Sequence, residues 1–513
     1  MNIKSALALT LLGLTLQAKS LDKVNTKSGP VKGAISTDGK VRMFKGIPYA
    51  APPVGPLRWK APQPAASWSS PLDATNFGAR CMQENIFGDM VYRDNGPSED
   101  CLYLNVWSPV SEAKKPALLP VMVWIYGGGY AAGASSEPRQ DGEMLAKKGV
   151  VVVSMNYRLN VFGFLAHPGL AKETGRNGSG NYGLLDQVAA LEWVHKNIKA
   201  FGGNPENVTI FGESAGSFSV CGLMASPLTK GLFQKAIGES GAFFGSSLAI
   251  TPAADAQLIG EKFASSVGAS SLEELRAKPA AELLKATLKN PEGFPVTVDG
   301  VFFPEDARTI YAEGKQAHVP LLAGWNRDEM SGGAFFGKDA HTAEVFKAKL
   351  QERYKDAAGQ LLELYPATSD EQAAQSAGAL ASDGFIAFST WKWLELQRTT
   401  GESTVYRYEF DDAPPTTPPG GAYHSAEIEF VFETLPSKHL PWRPEDTQLS
   451  DLVSTYWTNF AKTGDPNGAG LPAWPPFASS TGNEVMHLSS DSKAKPEQNR
   501  ARYELLDRLM ARK

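Results

Sequence analysis

The stretch from Phe201 to Gly216, F-G-G-N-P-E-N-V-T-I-F-G-E-S-A-G, constrains this chain more than any other. Asn207 to Phe211 is a β-branched and aromatic run of strand length, and the small and apolar residues after Gly216 suit a helix. Only Gly212-Glu-Ser-Ala-Gly216 lies between them. A serine lifted to the tip of so sharp a turn needs a strained backbone, and glycines on either side let strand and helix pack closely. Strand, G-x-S-x-G and helix in succession therefore predict a nucleophile elbow carrying Ser214. A near copy, Gly238-Glu-Ser-Gly241, has Ala242 where the second packing glycine belongs, so Ser240 is expected to play a structural, supporting part.

An elbow of this kind needs a sheet around it. Val121 to Tyr126 is a nearly continuous apolar run of the type buried on both faces of a parallel sheet, ended by Gly127-Gly-Gly129. Val150 to Met155, Gln234 to Glu239 and Leu321 to Gly324 are further strand candidates, while Leu184, Val188, Leu191, Val194 and Ile198 form a helical stripe. Strands alternating with helices predict an α/β fold built on a mostly parallel, doubly wound sheet. Irregular helical stretches around 251–289 and 332–403 read as insertions over the carboxyl edge of that sheet. Near the N-terminus, runs from Val31 to Phe44 flank Thr37-Asp-Gly39 as a hairpin. Toward the C-terminus come a strand from Thr404 to Phe410, a linker rich in proline and glycine from Asp411 to Gly421, and an amphipathic helix near Leu449 to Lys462.

At 513 residues and 42% hydrophobic, the chain can bury a large core, and we expect a single catalytic domain over 21–513. A net charge of -5 with no lysine or arginine run argues against nucleic acid or an anionic membrane surface as partner. Met1 to Ser20, with Lys4, an apolar segment from Ala6 to Leu16 and Ala18-Lys-Ser20, reads as a secretory signal peptide, which implies export to periplasm or medium. Cys81 and Cys101 are close enough to close a loop and are expected to form a disulfide; Cys221 stands alone as a small apolar filler.

Serine is a poor nucleophile at neutral pH, so it needs a base, an acid to orient that base, and donors for the oxyanion. In an open α/β sheet these gather on loops at the carboxyl ends of strands. That disfavours His195 beside the helical stripe, His318 at a strand start, His341 before a helix and His487 in an apolar run. His424 is delivered by a glycine-rich loop after a strand and is the expected base, with His439 second. For the acid, Asp328 and Glu329 both follow the Leu321 strand, and their order alone does not separate them. Backbone N–H groups of Gly127-Gly-Gly129 and of Ala215 are the expected oxyanion donors. Gly127-x-Gly129-x-x-Ala132 also fits a loose dinucleotide-binding pattern, but Ser135, Glu137 and Pro138 spoil an immediate helix, and no acidic residue ends the next strand. With no H-E-x-x-H and no tight His/Cys cluster, neither metal nor cofactor is expected.

Three stretches, Glu99-Asp-Cys-Leu-Tyr-Leu-Asn-Val-Trp107, Tyr126-Gly-Gly-Gly129 and Phe201 to Gly216, resemble the type-B carboxylesterases, the α/β-hydrolase group that includes bacterial esterases and cholinesterases. The likeness runs from about Lys45 to Phe477 and is weakest near 251–289 and 332–403. It implies the α/β-hydrolase fold, Ser214 as nucleophile, Glu329 as the triad acid and His424 as base, which resolves the tie with Asp328. It further implies Gly128, Gly129 and Ala215 as oxyanion donors, Glu213 as a residue tuning the site electrostatically, the Cys81–Cys101 bridge and a structural ion pair of Arg158 with Asp186. No tryptophan stands between Cys81 and Cys101 where cholinesterases bind choline, and the acyl-pocket phenylalanines are replaced by Asn290, Pro291 and Glu292. The reading is an exported serine carboxylesterase acting on a small-molecule ester, as a monomer or small homo-oligomer. Its rivals are a non-catalytic adhesion or binding protein of the same family, and a lipase, thioesterase or polymer esterase with the same machinery.

Overall fold

Eleven strands form one sheet: β1 (Ala34–Ile35), β2 (Val41–Pro48), β3 (Tyr103–Pro109), β4 (Leu119–Ile125), β5 (Val151–Met155), β6 (Gly203–Glu213), β7 (Lys235–Glu239), β8 (Leu321–Asn326), β9 (Val405–Phe410), β10 (Glu484–Leu488) and β11 (Lys493–Pro496). They lie side by side in the order β1-β2-β3-β5-β4-β6-β7-β8-β9-β10-β11. From β5 to β10 every pairing is parallel, and antiparallel strands finish both edges. The structure, a computed structural model, describes residues 22–111, 117–290, 292–417, 420–478, 480 and 482–511. The expected signal peptide, Met1 to Ser20, lies outside the described residues.

Burial follows from this topology. Val121 to Ile125 and Val151 to Met155 are buried throughout, because helices cover both faces of the central strands. Alternation at the end of β7 shows the two layers. A Cβ on Gly238 would meet the ring of Trp393 and Oγ of Ser217, whereas the next side chain, Glu239, reaches Trp457 on the opposite side. The helix Ala215–Ala225 thus lies on one face and Pro444–Thr463 on the other. This is the α/β-hydrolase fold expected from the sequence. The segments at 251–289 and 332–403 are helical, including Ala253–Ser266, Ala280–Thr287, Asp370–Ser382, a π-helical turn at Asp383–Ala387 and Phe388–Thr399. Among the described residues no helix is long and apolar enough to cross a membrane.

The N-terminal hairpin differs from expectation. Pro30–Lys32 leaves to pair with Lys23–Asn25 in a separate small sheet, and only Ala34–Ile35 pairs with β2. Gly33 marks the change: a Cβ there would lie 2.2 Å from the Met43 carbonyl oxygen, so the chain crosses β2 where only glycine fits.

Candidate active site

The strand β6 ends at Glu213 and the helix begins at Ala215, leaving Ser214 alone at the turn with φ 53° and ψ -123°. That is a costly conformation for a residue with a side chain, and the surroundings enforce it. The Ser214 N–H donates to the carbonyl of Glu239 at 2.8 Å, and the Ser214 carbonyl accepts from Phe218 N at 2.9 Å. A Cβ on Gly216 would lie 1.9 Å from the Ile125 carbonyl oxygen, and one on Gly212 2.5 Å from the same atom. Strand β4 therefore passes so close beneath the turn that side chains at either glycine are excluded.

His424 arrives on a loop fastened to the end of β8. Asp328 N donates to the Ala422 carbonyl at 3.0 Å, and Ala422 N donates to Asp328 Oδ2 at 2.9 Å. Asp328 thus holds the loop by its backbone, while Glu329 faces the imidazole. Glu329 Oε2 lies 2.5 Å from His424 Nδ1, and His424 Nε2 lies 2.9 Å from Ser214 Oγ. The other oxygen, Glu329 Oε1, accepts from Ser240 Oγ at 2.5 Å and from Asn326 N at 2.8 Å, so the carboxylate is fixed at both ends. Glu213 Oε1 lies 3.3 Å from His424 Nε2. The structure brings together Ser214, His424, Glu329, Glu213 and, in a supporting position, Ser240. His439 lines the same cavity without bonding to the serine.

Gly128 and Gly129 follow β4 with φ of 102° and 63°, and their N–H groups make no hydrogen bond to the described residues. The Ala215 N–H, at the first position of its helix, has no partner within the helix. Gly128 and Gly129 line the space over Ser214, where a developing oxyanion could take up such donors. The Cys81–Cys101 disulfide is formed, and the loop it closes supplies Phe87, Met90 and Val91 to one wall. Arg158 and Asp186 form a buried bidentate pair, Nη2–Oδ1 2.7 Å and Nε–Oδ2 2.8 Å.

A cavity of about 1000 Å³ opens over Ser214. Besides the disulfide-loop residues, Phe218, Leu248, Phe385 and Leu440 give it an apolar lining. Phe385 sits on the π-helical turn and packs edge-on against the His424 ring, centroids 5.2 Å apart. Asn290 and Glu292, at the expected acyl-pocket positions, do not line this cavity. Asn290 lines a smaller cavity of about 240 Å³ with Leu284, Leu288 and also Gly129, Glu292 pairs with Lys262 at the surface at 3.0 Å, and Pro291 lies outside the described residues. Ser247, Leu248 and Phe385, which line the cavity instead, carry no periodic or motif signal; for Phe87 and Val91 the one clue was their place inside the Cys81–Cys101 loop.

Electrostatics tie the acids to the imidazole. Burial alone lowers the His424 pKa, but the carboxylates of Glu213 and Glu329 outweigh it and raise the value. Burial pushes Glu213 up to about 7, against the charges of His424 and Arg139. The arrangement can pass a proton from a serine hydroxyl to an imidazole and stabilise the imidazolium that results. Elsewhere, Glu409, Asp411 and His487 on β9, β10 and the adjoining loop offer ligand atoms within 4.8 Å of one another, and His487 Nδ1 already pairs with Asp411 Oδ2 at 2.7 Å.

Residues 20–506 match the model of the carboxylesterase family. Para-nitrobenzyl esterase of Bacillus subtilis (strain 168) is 40% identical over 489 residues, covering 91% of this chain and 95% of that protein. Fumonisin B1 esterase of Sphingopyxis macrogoltabida is 35% identical over 485 residues, covering 88% and 84%. Among solved structures, a PNB esterase superposes with a TM-score of 0.82 at 36% identity, covering 95% of this chain and 99% of that one.

Proposed function

This chain belongs to the carboxylesterase family and is a carboxylic ester hydrolase, and we propose that it works through an acyl-enzyme on Ser214. Ser214 Oγ gives its proton to His424 Nε2 and attacks the ester carbonyl. Glu329 holds the proton on His424 Nδ1, which leaves Nε2 free to accept. The N–H groups of Gly128, Gly129 and Ala215 take the oxyanion. His424 then protonates the departing alcohol, water replaces it, and the same steps in reverse order of partners release the acid. Glu213 stabilises the imidazolium formed in each half. The observation that carries this reading is the continuous hydrogen-bonded line from Ser214 Oγ through His424 to Glu329, 2.9 Å and 2.5 Å, at the mouth of a cavity.

The substrate we assign is a small-molecule ester with at least one bulky apolar arm, since Phe87, Phe218, Leu248 and Phe385 line the cavity over the serine. Relatives named para-nitrobenzyl esterase and cocaine esterase support this class. Ser214→Ala should abolish hydrolysis of p-nitrophenyl esters and labelling by a fluorophosphonate while leaving the melting temperature close to that of the parent. Turnover retained by that variant sinks the assignment. A relative named fatty acyl-CoA hydrolase favours thioesters as a second class, and a panel varying acyl length and leaving group separates the two. We hold further that residues 21–513 are one catalytic domain, that the helical segments at 251–289 and 332–403 cover the carboxyl edge as a lid, and that residues 1–20 are removed on export. The Cys81–Cys101 bridge suits an oxidising compartment. N-terminal sequencing of protein recovered outside the cytoplasm, beginning with Met1, would contradict the export reading.

A further inference from the structure

Behind His424, toward the helix Pro444–Thr463, lie two carboxyl groups for which the mechanism above has no use. Glu239 ends β7, in register with Glu213 at the end of β6, and is 0% exposed. Its Oε1 accepts from Trp457 Nε1 at 2.7 Å, and its Oε2 has no partner. Glu427, one turn beyond His424, is 1% exposed; its Oε2 accepts from Asn326 Nδ2 at 2.6 Å, and its Oε1 has no partner. Asn326 Oδ1 and the Tyr408 hydroxyl are buried beside them, likewise without partners.

The groups that face this pair come from every element around it: Glu213 from β6, Asn326 and Glu329 from β8 and the residues after it, Tyr408 from β9, Trp457 from Pro444–Thr463, and His424 from its loop. No lysine or arginine pairs with Glu239 or Glu427 among the described residues; Arg139 acts one step away, on Glu213. Ionising both carboxyls in a buried site that already holds Glu213 and Glu329 costs far more than keeping a proton. Burial, and then the charge of Glu427, push Glu239 well above the carboxylate range, and burial with Glu213 and Glu329 pushes Glu427 up to about 8. Proton accounting agrees. Fully ionised, the pair adds two free acceptor oxygens to Asn326 Oδ1, with the Tyr408 hydroxyl as the one unpartnered donor among these groups, whereas one carboxyl proton supplies a second.

We propose that Glu239 and Glu427 hold one proton between them, so that the pair carries a single negative charge behind the triad and serves as a positioning element for His424 and Glu329. Glu427 fixes Asn326, whose backbone N–H holds Glu329 Oε1 at 2.8 Å. The single charge supports the imidazolium without locking it.

The inference rests on the proposed triad for its kinetic consequence but not for its direct test. Infrared spectra of the whole enzyme in H₂O and D₂O, above the pH at which Glu213 titrates, should show the carbonyl stretch of a buried protonated carboxyl. The band should vanish in Glu239→Gln and in Glu427→Gln, because the carboxyl left alone ionises against the new amide donor. Each single variant retains one negative charge, so the acid limb of kcat/KM for p-nitrophenyl acetate should stay in place. The double variant loses that charge, and the limb should move to lower pH by about one unit. A parent enzyme without the band, a band surviving in both single variants, or limb shifts that appear in each single variant and add in the double, would overturn the proposal. The spectra need no turnover, so they stand even if Ser214→Ala proves active.

Discussion

Replacing Glu213 by glutamine isolates one charge at the centre of the site. Glu213 Oε1 lies 3.3 Å from His424 Nε2, and its carboxylate is first among the groups that raise the imidazole pKa against burial. Two unit charges about 4–5 Å apart at an effective dielectric of about 20 interact by about 3–4 kcal/mol, equivalent to about 2–3 pH units. Burial has raised Glu213 to about 7, so it is only partly charged near neutrality and its working influence is smaller. A shift of about one to two units follows. The sign is fixed by the charge: without a negative neighbour the imidazolium is less stable, its pKa falls, and the acid limb of kcat/KM moves to lower pH. The same loss is felt when the imidazolium forms in the transition state, so kcat at the plateau should fall about tenfold to a hundredfold. Because the pair is sheltered, added salt should change the shift little. Steady-state hydrolysis of p-nitrophenyl acetate across pH, with the melting temperature as a folding check, measures all of this. An acid limb that stays put or rises, in a folded variant, refutes the electrostatic reasoning.

The neighbouring carboxylates separate orientation from loop anchoring. Glu329→Gln should lower kcat by about four orders of magnitude, since the amide no longer selects the proper imidazole tautomer, whereas Asp328→Asn keeps an oxygen for Ala422 N and should stay within about threefold of the parent; equal losses in both would contradict the assignment. Gly216→Ala puts a Cβ 1.9 Å from the Ile125 carbonyl oxygen, a backbone atom of the central sheet that cannot swing aside as a side chain would. It should cost more than about 4 kcal/mol, seen as loss of folded protein on expression or a steep drop in melting temperature; a variant melting near the parent would show that β4 can move.

What could be read from the sequence was whatever depends on a residue's own backbone. β4 and β5 show as continuous apolar runs because helices cover both faces, and the elbow shows because strand, strained serine and glycines are contiguous from Gly203 to Ala225. His424 was legible for a related reason: a glycine-rich loop after a strand could only deliver it to the sheet's carboxyl edge. Asp328 and Glu329 could not be told apart this way. Which of them faces the imidazole is decided by the pairing of Asp328 with Tyr423 across the loops, a contact between distant parts of the chain that only the family resemblance anticipated. The residues that line the cavity were not legible either: Leu248 and Phe385 reach it from segments distant in the chain, and nothing periodic marks them.

Ser240 shows how little separates the two kinds of information. Its segment repeats the elbow's glycine, acid and serine, and Ser240 also takes a positive φ, 60° against 53° for Ser214. After Ser214, Gly216 lets the chain pass under the Ile125 carbonyl and enter the helix Ala215–Ala225. After Ser240, Ala242 fills that position, no helix follows, and the side chain is left 0% exposed. Its hydroxyl, unable to reach a substrate, donates instead to Glu329 Oε1 at 2.5 Å. The missing glycine could therefore be read as a lost nucleophile from sequence alone. The role gained could not, because it depends on β7 and β8 lying side by side, which brings Ser240 within reach of the acid that follows the next strand. On its other side β7 pairs with β6, which sets Glu239 beside Glu213, so the supporting serine and the buried acid pair are consequences of one strand order.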